Sequence, residues 1–308
     1  MADAKNYEES QVGGVVCGDP KDTPDFKYFT YPALPAFRRD GDNPHKSAMS
    51  RLLTPALWAQ LRGQTSNKGY TLSNAIQTGV ETPHLGVGIT AGDEDCWEVF
   101  KDVMYPIIQD WHGWDPYTNA HRSDLDFSKL RFGPEQLALF NQYVVSTRIR
   151  AARNISGCAL PPGTGDGDRY KVEALLSSAF AGFGGELRGQ YYKLGELTAA
   201  QKEDLRSQGF LFQKPKPTNL LTFAGAARNW PDGRGIFHND ARTALCWVNE
   251  EDHCRIISMS KDGGVKDVFR RFAAISDSLK QVAEAQGTRF MMSDRLGFLG
   301  TCPSNLGT

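Results

Sequence analysis

Several common features are missing from this 308-residue sequence, and each absence removes a class of function. Charge of one sign is not in excess: 35 Lys and Arg stand against 36 Asp and Glu, a net charge of −1. A surface so balanced offers no polycation to nucleic acid or to an anionic membrane. There is no run of about 18 apolar residues, so no membrane span is expected. The opening "MADAKNYEES" is polar and acidic, without signal or transit character. The six cysteines, Cys17, Cys96, Cys158, Cys246, Cys254 and Cys302, form no C-x-x-C pair and are irregularly spaced. Zinc and a disulfide framework are therefore not expected, and a reduced, cytoplasmic chain is. Asn154-Ile155-Ser156 fits a glycosylation sequon only by chance in such a chain. Internal repeats and low-complexity segments are absent. So is a Walker A loop: "GTGDGDR" at 163–169 lacks G-K-[ST], and "GVGITAGDED" follows no clear strand. "DGDN" does not open an EF-hand loop, because the twelfth position counted from Asp40 is Arg51.

What remains is a globular chain, 40% hydrophobic and 23% charged, long enough for about two domains with real cores. Residues 1–44 are rich in Gly, Pro and Asp and read as an extended N-terminal arm. A small helical domain is expected over 45–125. Met49, Leu52, Leu53, Leu57 and Leu61 recur at helical spacing, with Thr54-Pro55 as a restart. "GYTLSNAIQTGV" predicts a second helix. "EDCWEVFKDVMYPIIQDW" predicts a third, with Trp97, Phe100, Val103 and Met104 on one face and Asp93 or Asp95 as cap. Residues 126–141 read as a linker. From 142 to 308 the grammar changes. "QYVVSTRIR", "RGQYYKLGEL", "GIFHN", "TALCWVNE", "HCRIISMS" and a short "LGFLGTC" predict strands. "DRYKVEALLSSAF" and "GVKDVFRRFAAISDSLKQVAEAQ" predict helices. The fold class is α+β: an all-helical N-terminal domain, then a larger domain with an antiparallel sheet covered by helices.

Four stretches carry side chains with chemistry. In "STRIR", Arg148 and Arg150 lie two apart on a strand and leave one face, a clamp for polyanions or merely the solvent face of a sheet. "NEEDH" places Glu250, Glu251 and Asp252 in a row at a hairpin tip, with Arg255 just inside the next strand. Such a tip holds a cation or a metal-bound phosphate, or is a hydrophilic turn and nothing more. His238 ends a strand, where structural histidines outnumber catalytic ones. Cys302 stands in "CPSNLGT", where Ser304 and nearby amides are placed to favour thiolate over thiol, although most cysteines are simply packed.

Together these motifs resemble the phosphagen kinases, the family of creatine and arginine kinases. The resemblance runs through "YTLSNAIQTGV", "VVSTRIRAARNI", "YYKLGELT", "WPDGRGIFHND", "WVNEEDHCRIISM", "VKDVFRRF" and "TCPSNLGT". It implies reversible transfer of the γ-phosphoryl group of ATP, carried with Mg²⁺, to a guanidino nitrogen. By position, Glu251 matches the glutamate that grips the guanidinium and serves as base, and Cys302 the reactive cysteine beside it. Arg148, Arg150 and Arg255 match phosphate-binding arginines. Ser146 and His238 match positions lining the nucleotide. Gly86, Val87 and Gly88 match the small-domain loop that touches the substrate. Glu250 and Asp252 match residues near the Mg²⁺ water shell, with no direct metal ligand. Partners are then ATP and a guanidino compound, not nucleic acid or membrane, and a homodimer is one of the family's assemblies.

Thr90 stands where arginine kinases carry a tyrosine. The stretch from Tyr31-Pro32 to Leu53-Thr54-Pro55 is longer than usual, a trait of smaller substrates. Both favour creatine or a similar small guanidino acid. Trp111, near a creatine-kinase arginine, points away from it, so arginine and taurocyamine stay open. The family continues beyond "CPSNLGT", so a partial sequence is the expectation. A short nucleotide-binding form without catalysis is the alternative.

Overall fold

The computed structural model describes residues 30–42, 44–217 and 219–306. Most of the expected N-terminal arm lies outside the described residues, as do Gly307 and Thr308 of the closing motif. The helical restart at Thr54-Pro55 is present: α1 spans Ala48–Leu52 and α2 Pro55–Leu61. Thr54 caps α2 by accepting a hydrogen bond from Leu57 N (3.2 Å), and Pro55 occupies the first turn, where its missing N–H costs nothing. Helix α3, Leu72–Glu81, starts at a Thr71–Asn74 capping box.

The expected third helix is interrupted at Phe100, giving α4 (Cys96–Val99) and α5 (Lys101–His112). Neither Asp93 nor Asp95 caps it. Asp95 occupies the cap position but makes no capping bond, its carboxylate accepting from Asn67 N (2.9 Å), and Asp93 accepts from Ser66 Oγ and Asp95 N. Trp97, Phe100, Val103 and Met104 are buried as the periodicity predicts.

The span read as a linker carries a helix of its own, α6 (Pro134–Tyr143), none of whose residues is buried. It consumes the start of "QYVVSTRIR", so β1 begins only at Thr147 and runs to Arg153. Then follow α7 (Asp166–Ala181), β2 (Gly189–Lys193), α8 (Ala199–Ser207), α9 (Leu220–Phe223), β3 (Gly235–Asn239), β4 (Ala244–Val248), β5 (Cys254–Ser260) and α10 (Val265–Ala285). A two-stranded ribbon, β6 (Met292–Ser293) and β7 (Gly297–Phe298), precedes the closing turn.

The main sheet is antiparallel throughout, in the order β1-β5-β4-β3-β2. One face, with Ile149, Ile256, Cys246 and Phe237, packs on the apolar sides of α7 and α10. The opposite face, with Ile257, Leu245 and Ile236, is covered in part by Leu194, Leu197, Phe210, Phe212 and Trp230. Leu160, Met291, Leu299 and Leu306 of the larger unit join the core of the helical one. Full burial of each such side chain contributes about 1.5–3 kcal/mol, so the two units share an apolar seam. Among the described residues no helix is long and apolar enough to cross a membrane.

Candidate active site

Strand register decides which side chains can meet. Residues directly opposite in an antiparallel ladder share a face. Arg150 pairs with Ile257, Ile257 with Leu245, and Leu245 with His238. In the next row Ala152 pairs with Arg255 and Arg255 with Trp247. Arg148, Arg150, Arg255 and His238 therefore all emerge on the face opposite α7 and α10. Arg150 and His238 are three strands apart, about 14 Å at ordinary strand spacing. Ser146 is exposed in the approach to β1, one residue ahead of the strand.

The arginines differ. Arg148 and Arg150 are exposed and, among the described residues, form no hydrogen bond or ion pair. Partial burial, and behind it the charge of Arg150, lowers the Arg148 pKa. An anion between the two guanidinium forks would relieve that repulsion. Arg255 is sealed, with 1% of its surface exposed. Its Nη2 donates to Glu251 Oε2 (2.7 Å) and Asp252 Oδ2 (2.6 Å). Its Nε and Nη1 are buried and have no partner among the described residues. Burial alone would pull this guanidinium's pKa down, but Asp252, then Glu251 and Cys302, raise it. Buried donors are normally satisfied, so an ordered water or an incoming acceptor would complete these two. His238 is buried against Tyr192, ring centroids 5.3 Å apart. Its Nδ1 donates to Asn239 O (3.1 Å).

The acidic tip is a tightly held loop between β4 and β5. Asn249 adopts φ 55°, a conformation asparagine tolerates well. Its N–H donates to His253 O (3.0 Å), and its side chain reaches Arg169 O and Gly233 O. Buried Arg234 donates to Asn249 O (2.9 Å). His253 donates from Nε2 to Ala159 O and accepts at Nδ1 from Ile155 N, and burial lowers its pKa, keeping it neutral.

Burial, followed by the neighbouring Glu251 charge, pushes Glu250 up to about 8. Asp252 is 1% exposed with both oxygens engaged: Oδ1 accepts from Asn154 Nδ2 (3.0 Å) and Thr301 N (3.2 Å), and Oδ2 from Arg255. Both Asp252 oxygens thus already hold protein donors, whereas the Glu250 carboxylate accepts only from Glu251 N (2.8 Å) among the described residues. Glu251 keeps 21% of its side chain exposed and so, unlike Asp252, faces outward.

Cys302 is buried at the start of the closing turn, its Sγ 3.0 Å from Ser304 Oγ. The sequence predicts a thiolate. In the structure, burial and then the Glu251 charge push the thiol up to about 11, and the Ser304 hydroxyl and backbone pull down without overcoming them. A cation between Glu251 and Cys302 would act with Ser304 and favour the thiolate.

On the helical side, Gly86 O and Val87 O accept from Ala48 N (2.7 Å) and Met49 N (3.0 Å). Val87 is fully buried, so its side chain serves the core and only its backbone is at issue. Gly88 has φ 81° and lies so close to α3 that a Cβ on Gly79 would be 2.3 Å from Gly88 O. The Trp111 indole covers Gly86, where a Cβ would be 2.2 Å from the ring. Thr90 is buried, its hydroxyl within reach of Tyr70 Oη (3.2 Å) and Ala75 O (3.4 Å).

Sequence reasoning missed Asn154, Thr301 and Arg234. Their importance lies in contacts distant along the chain, and no local pattern announces them. Asn154 is buried and bonded on both ends of its amide, which also removes it as a glycan acceptor.

Comparisons with known proteins identify the family and the fold. Family models described as the ATP:guanido phosphotransferase N-terminal domain and C-terminal catalytic domain match residues 43–109 and 171–308. Creatine kinase M-type of Gallus gallus is 45% identical over 268 residues, 86% of this chain and 69% of that protein. The Canis lupus familiaris protein of the same name is 44% identical over the same span. Among solved structures, a lombricine kinase superposes with TM-score 0.79 at 39% identity, covering 86% of this chain and 71% of that one. The substrate-free duplicated taurocyamine kinase of Schistosoma mansoni superposes with TM-score 0.77 at 32% identity, covering 88% of this chain and 37% of that one.

Proposed function

The chain belongs to the ATP:guanido phosphotransferase family and is a kinase, and from that premise we propose that it moves the γ-phosphoryl group of MgATP reversibly to a small guanidino acid. The observation that carries this reading is Arg255: one nitrogen on two carboxylates, two buried donors without acceptors, on the sheet face that also presents Arg148 and Arg150. A triphosphate supplies the missing acceptors. The row from Arg150 to His238 then gives the nucleotide its track, with the phosphates over the arginines and the base towards His238 and Ser146. Mg²⁺ would enter as the nucleotide's companion and would neutralise phosphate charge, and Glu250 is the residue that would stand at its water shell.

Glu251 and Cys302 hold the planar guanidinium between a carboxylate and a sulfur. In the forward direction Glu251 takes the proton from the attacking nitrogen, an N–P bond forms, and the bond from Pγ to the bridging oxygen of ADP breaks. Phosphoryl transfer needs alignment and charge neutralisation more than covalent help, and alignment alone supplies about 7–11 kcal/mol. The backbone of Gly86, Val87 and Gly88 closes the site from the helical side and keeps water, a competing acceptor, away.

For the substrate we infer a creatine-like acid. Thr90 has its hydroxyl engaged within the protein and presents nothing to the amino-acid end of arginine. One observation favours a second reading. Trp111, 45% exposed over Gly86, offers an aromatic face in place of a cation, which suits a longer guanidino compound such as taurocyamine or lombricine. Initial rates with creatine, glycocyamine, taurocyamine, lombricine and arginine, measured side by side with MgATP, separate the two. The first reading predicts the highest kcat/KM for creatine or glycocyamine. A preference for taurocyamine, lombricine or arginine removes it, and no transfer to any of the five removes the kinase mechanism itself.

A further inference from the structure

Thr301, the residue before Cys302, has a role that the proposed reaction does not call for. It is fully buried. Its hydroxyl donates to Ala91 O (2.7 Å) and accepts from Ala91 N (2.9 Å), so one side chain satisfies both backbone groups of a residue 210 positions away. Its own N–H donates to Asp252 Oδ1 (3.2 Å), which also accepts from Asn154 Nδ2 (3.0 Å). Asn154 Oδ1 in turn accepts from His253 N (2.7 Å). The acidic tip, the Cys302 turn and the helical unit are thus joined through one hydroxyl and one carboxylate, beside a separate bond from His112 Nε2 to Asn305 O (2.7 Å) at the far side of the turn.

The position of this bridge matters more than its strength. Ala91 ends the segment that begins at Gly86 and is anchored within its own unit at Gly86 O and Val87 O. Among the described residues no other hydrogen bond joins 86–91 to 299–306. Beside the bridge, Leu160 N donates to Gly92 O (2.9 Å), and a Cβ on Gly163 would be 2.5 Å from Gly92 O, so the two backbones meet with no side chain between them. We propose that Thr301 is a positioning residue, which sets the distance between the Gly86–Gly88 loop of the helical unit and the Glu251–Cys302 pocket of the sheet unit. The proposal rests on the guanidino-kinase reading. It adds that the two halves of the guanidino site are held in register by this hydroxyl and not by packing alone.

The test uses Thr301→Val, which keeps the shape and removes the hydroxyl, and Thr301→Ser, which keeps the hydroxyl. Three quantities are measured on the full chain: kcat/KM for the best guanidino substrate, the MgADP dissociation constant, and hydrogen exchange at the Ala91 amide. A misplacement of the order of 1 Å costs about 100-fold in rate. Thr301→Val should therefore lose about 10- to 100-fold in guanidino kcat/KM, bind MgADP within about twofold of the parent, and exchange the Ala91 amide faster. Thr301→Ser should restore all three. A valine variant with parental kcat/KM, or one that loses MgADP binding in parallel, overturns the proposal. Should the parent transfer phosphoryl to no guanidino compound, the functional reading has failed. The bridge itself is then judged by Ala91 exchange, and an unchanged rate in Thr301→Val refutes it.

Discussion

Asp252→Asn changes one atom and should damage the fold more than its size suggests. Every neighbour of that carboxylate is a donor: Asn154 Nδ2 and Thr301 N at Oδ1, Arg255 Nη2 at Oδ2. An amide must turn its NH₂ to one side or the other, so one hydrogen bond becomes a donor–donor contact if it faces Arg255, and two do if it faces Asn154 and Thr301. The charge is lost as well. At 2.6 Å and an effective dielectric of about 20, the attraction to Arg255 is about 6 kcal/mol before desolvation is counted. Breaking a buried pair costs about 3–5 kcal/mol net, and because Glu251 still holds Arg255 at 2.7 Å we expect the lower end, about 3 kcal/mol. Urea unfolding at pH 7 measures it, as a lowered midpoint at unchanged slope. The loss should be the same with and without Mg²⁺ and nucleotide. A loss below about 1 kcal/mol, or one that appears only when Mg²⁺ is added, would show that Asp252 faces the metal and that the network drawn here is wrong.

Glu250 makes stability depend on pH. Its folded pKa of about 8 lies above the unfolded value, so the folded chain binds more protons between roughly pH 4.5 and 8 and stability falls as pH rises through that window. Glu250→Gln should flatten the fall by up to about 1 kcal/mol per pH unit in urea titrations at pH 5, 6.5 and 8, and parallel curves for variant and parent would refute the assignment. Ser304→Ala removes a hydrogen bond that lowers the Cys302 pKa, so the midpoint of alkylation rate against pH should move upward. An unmoved or lowered midpoint contradicts the contact.

Much of this architecture is legible in the chain, for reasons that differ by element. Helices α1 to α3 are announced by their caps and by apolar spacing, and the inner strands by short apolar runs. The break at Phe100 is hidden because Trp97, Phe100 and Met104 keep a helical period across it. Helix α6 is hidden for the opposite reason: it buries none of its residues, so no periodicity marks it. The acidic tip stands out as three acids in a row, and the arginine pair by its spacing. Their convergence on one face depends on strand register, which a single sequence does not display. Asn154 and Thr301 are the extreme case, small polar residues whose partners lie 49 to 210 positions away. The Cys302 turn was legible as chemistry, but its protonation was not, because burial and the Glu251 charge come from the fold.

Phosphoryl transfer by Glu251→Gln, read together with MgADP binding, bears most directly on the central claim. The substitution removes the outward-facing carboxylate of the guanidino pocket and leaves Arg255 held by Asp252. Loss of a general base and of a charge-assisted contact should lower kcat by about 10²–10⁴ while MgADP affinity stays within about threefold of the parent. Turnover within a few-fold of the parent, or a matching collapse of MgADP binding, would contradict the assignment of Glu251 to the guanidinium and of the arginine face to the nucleotide.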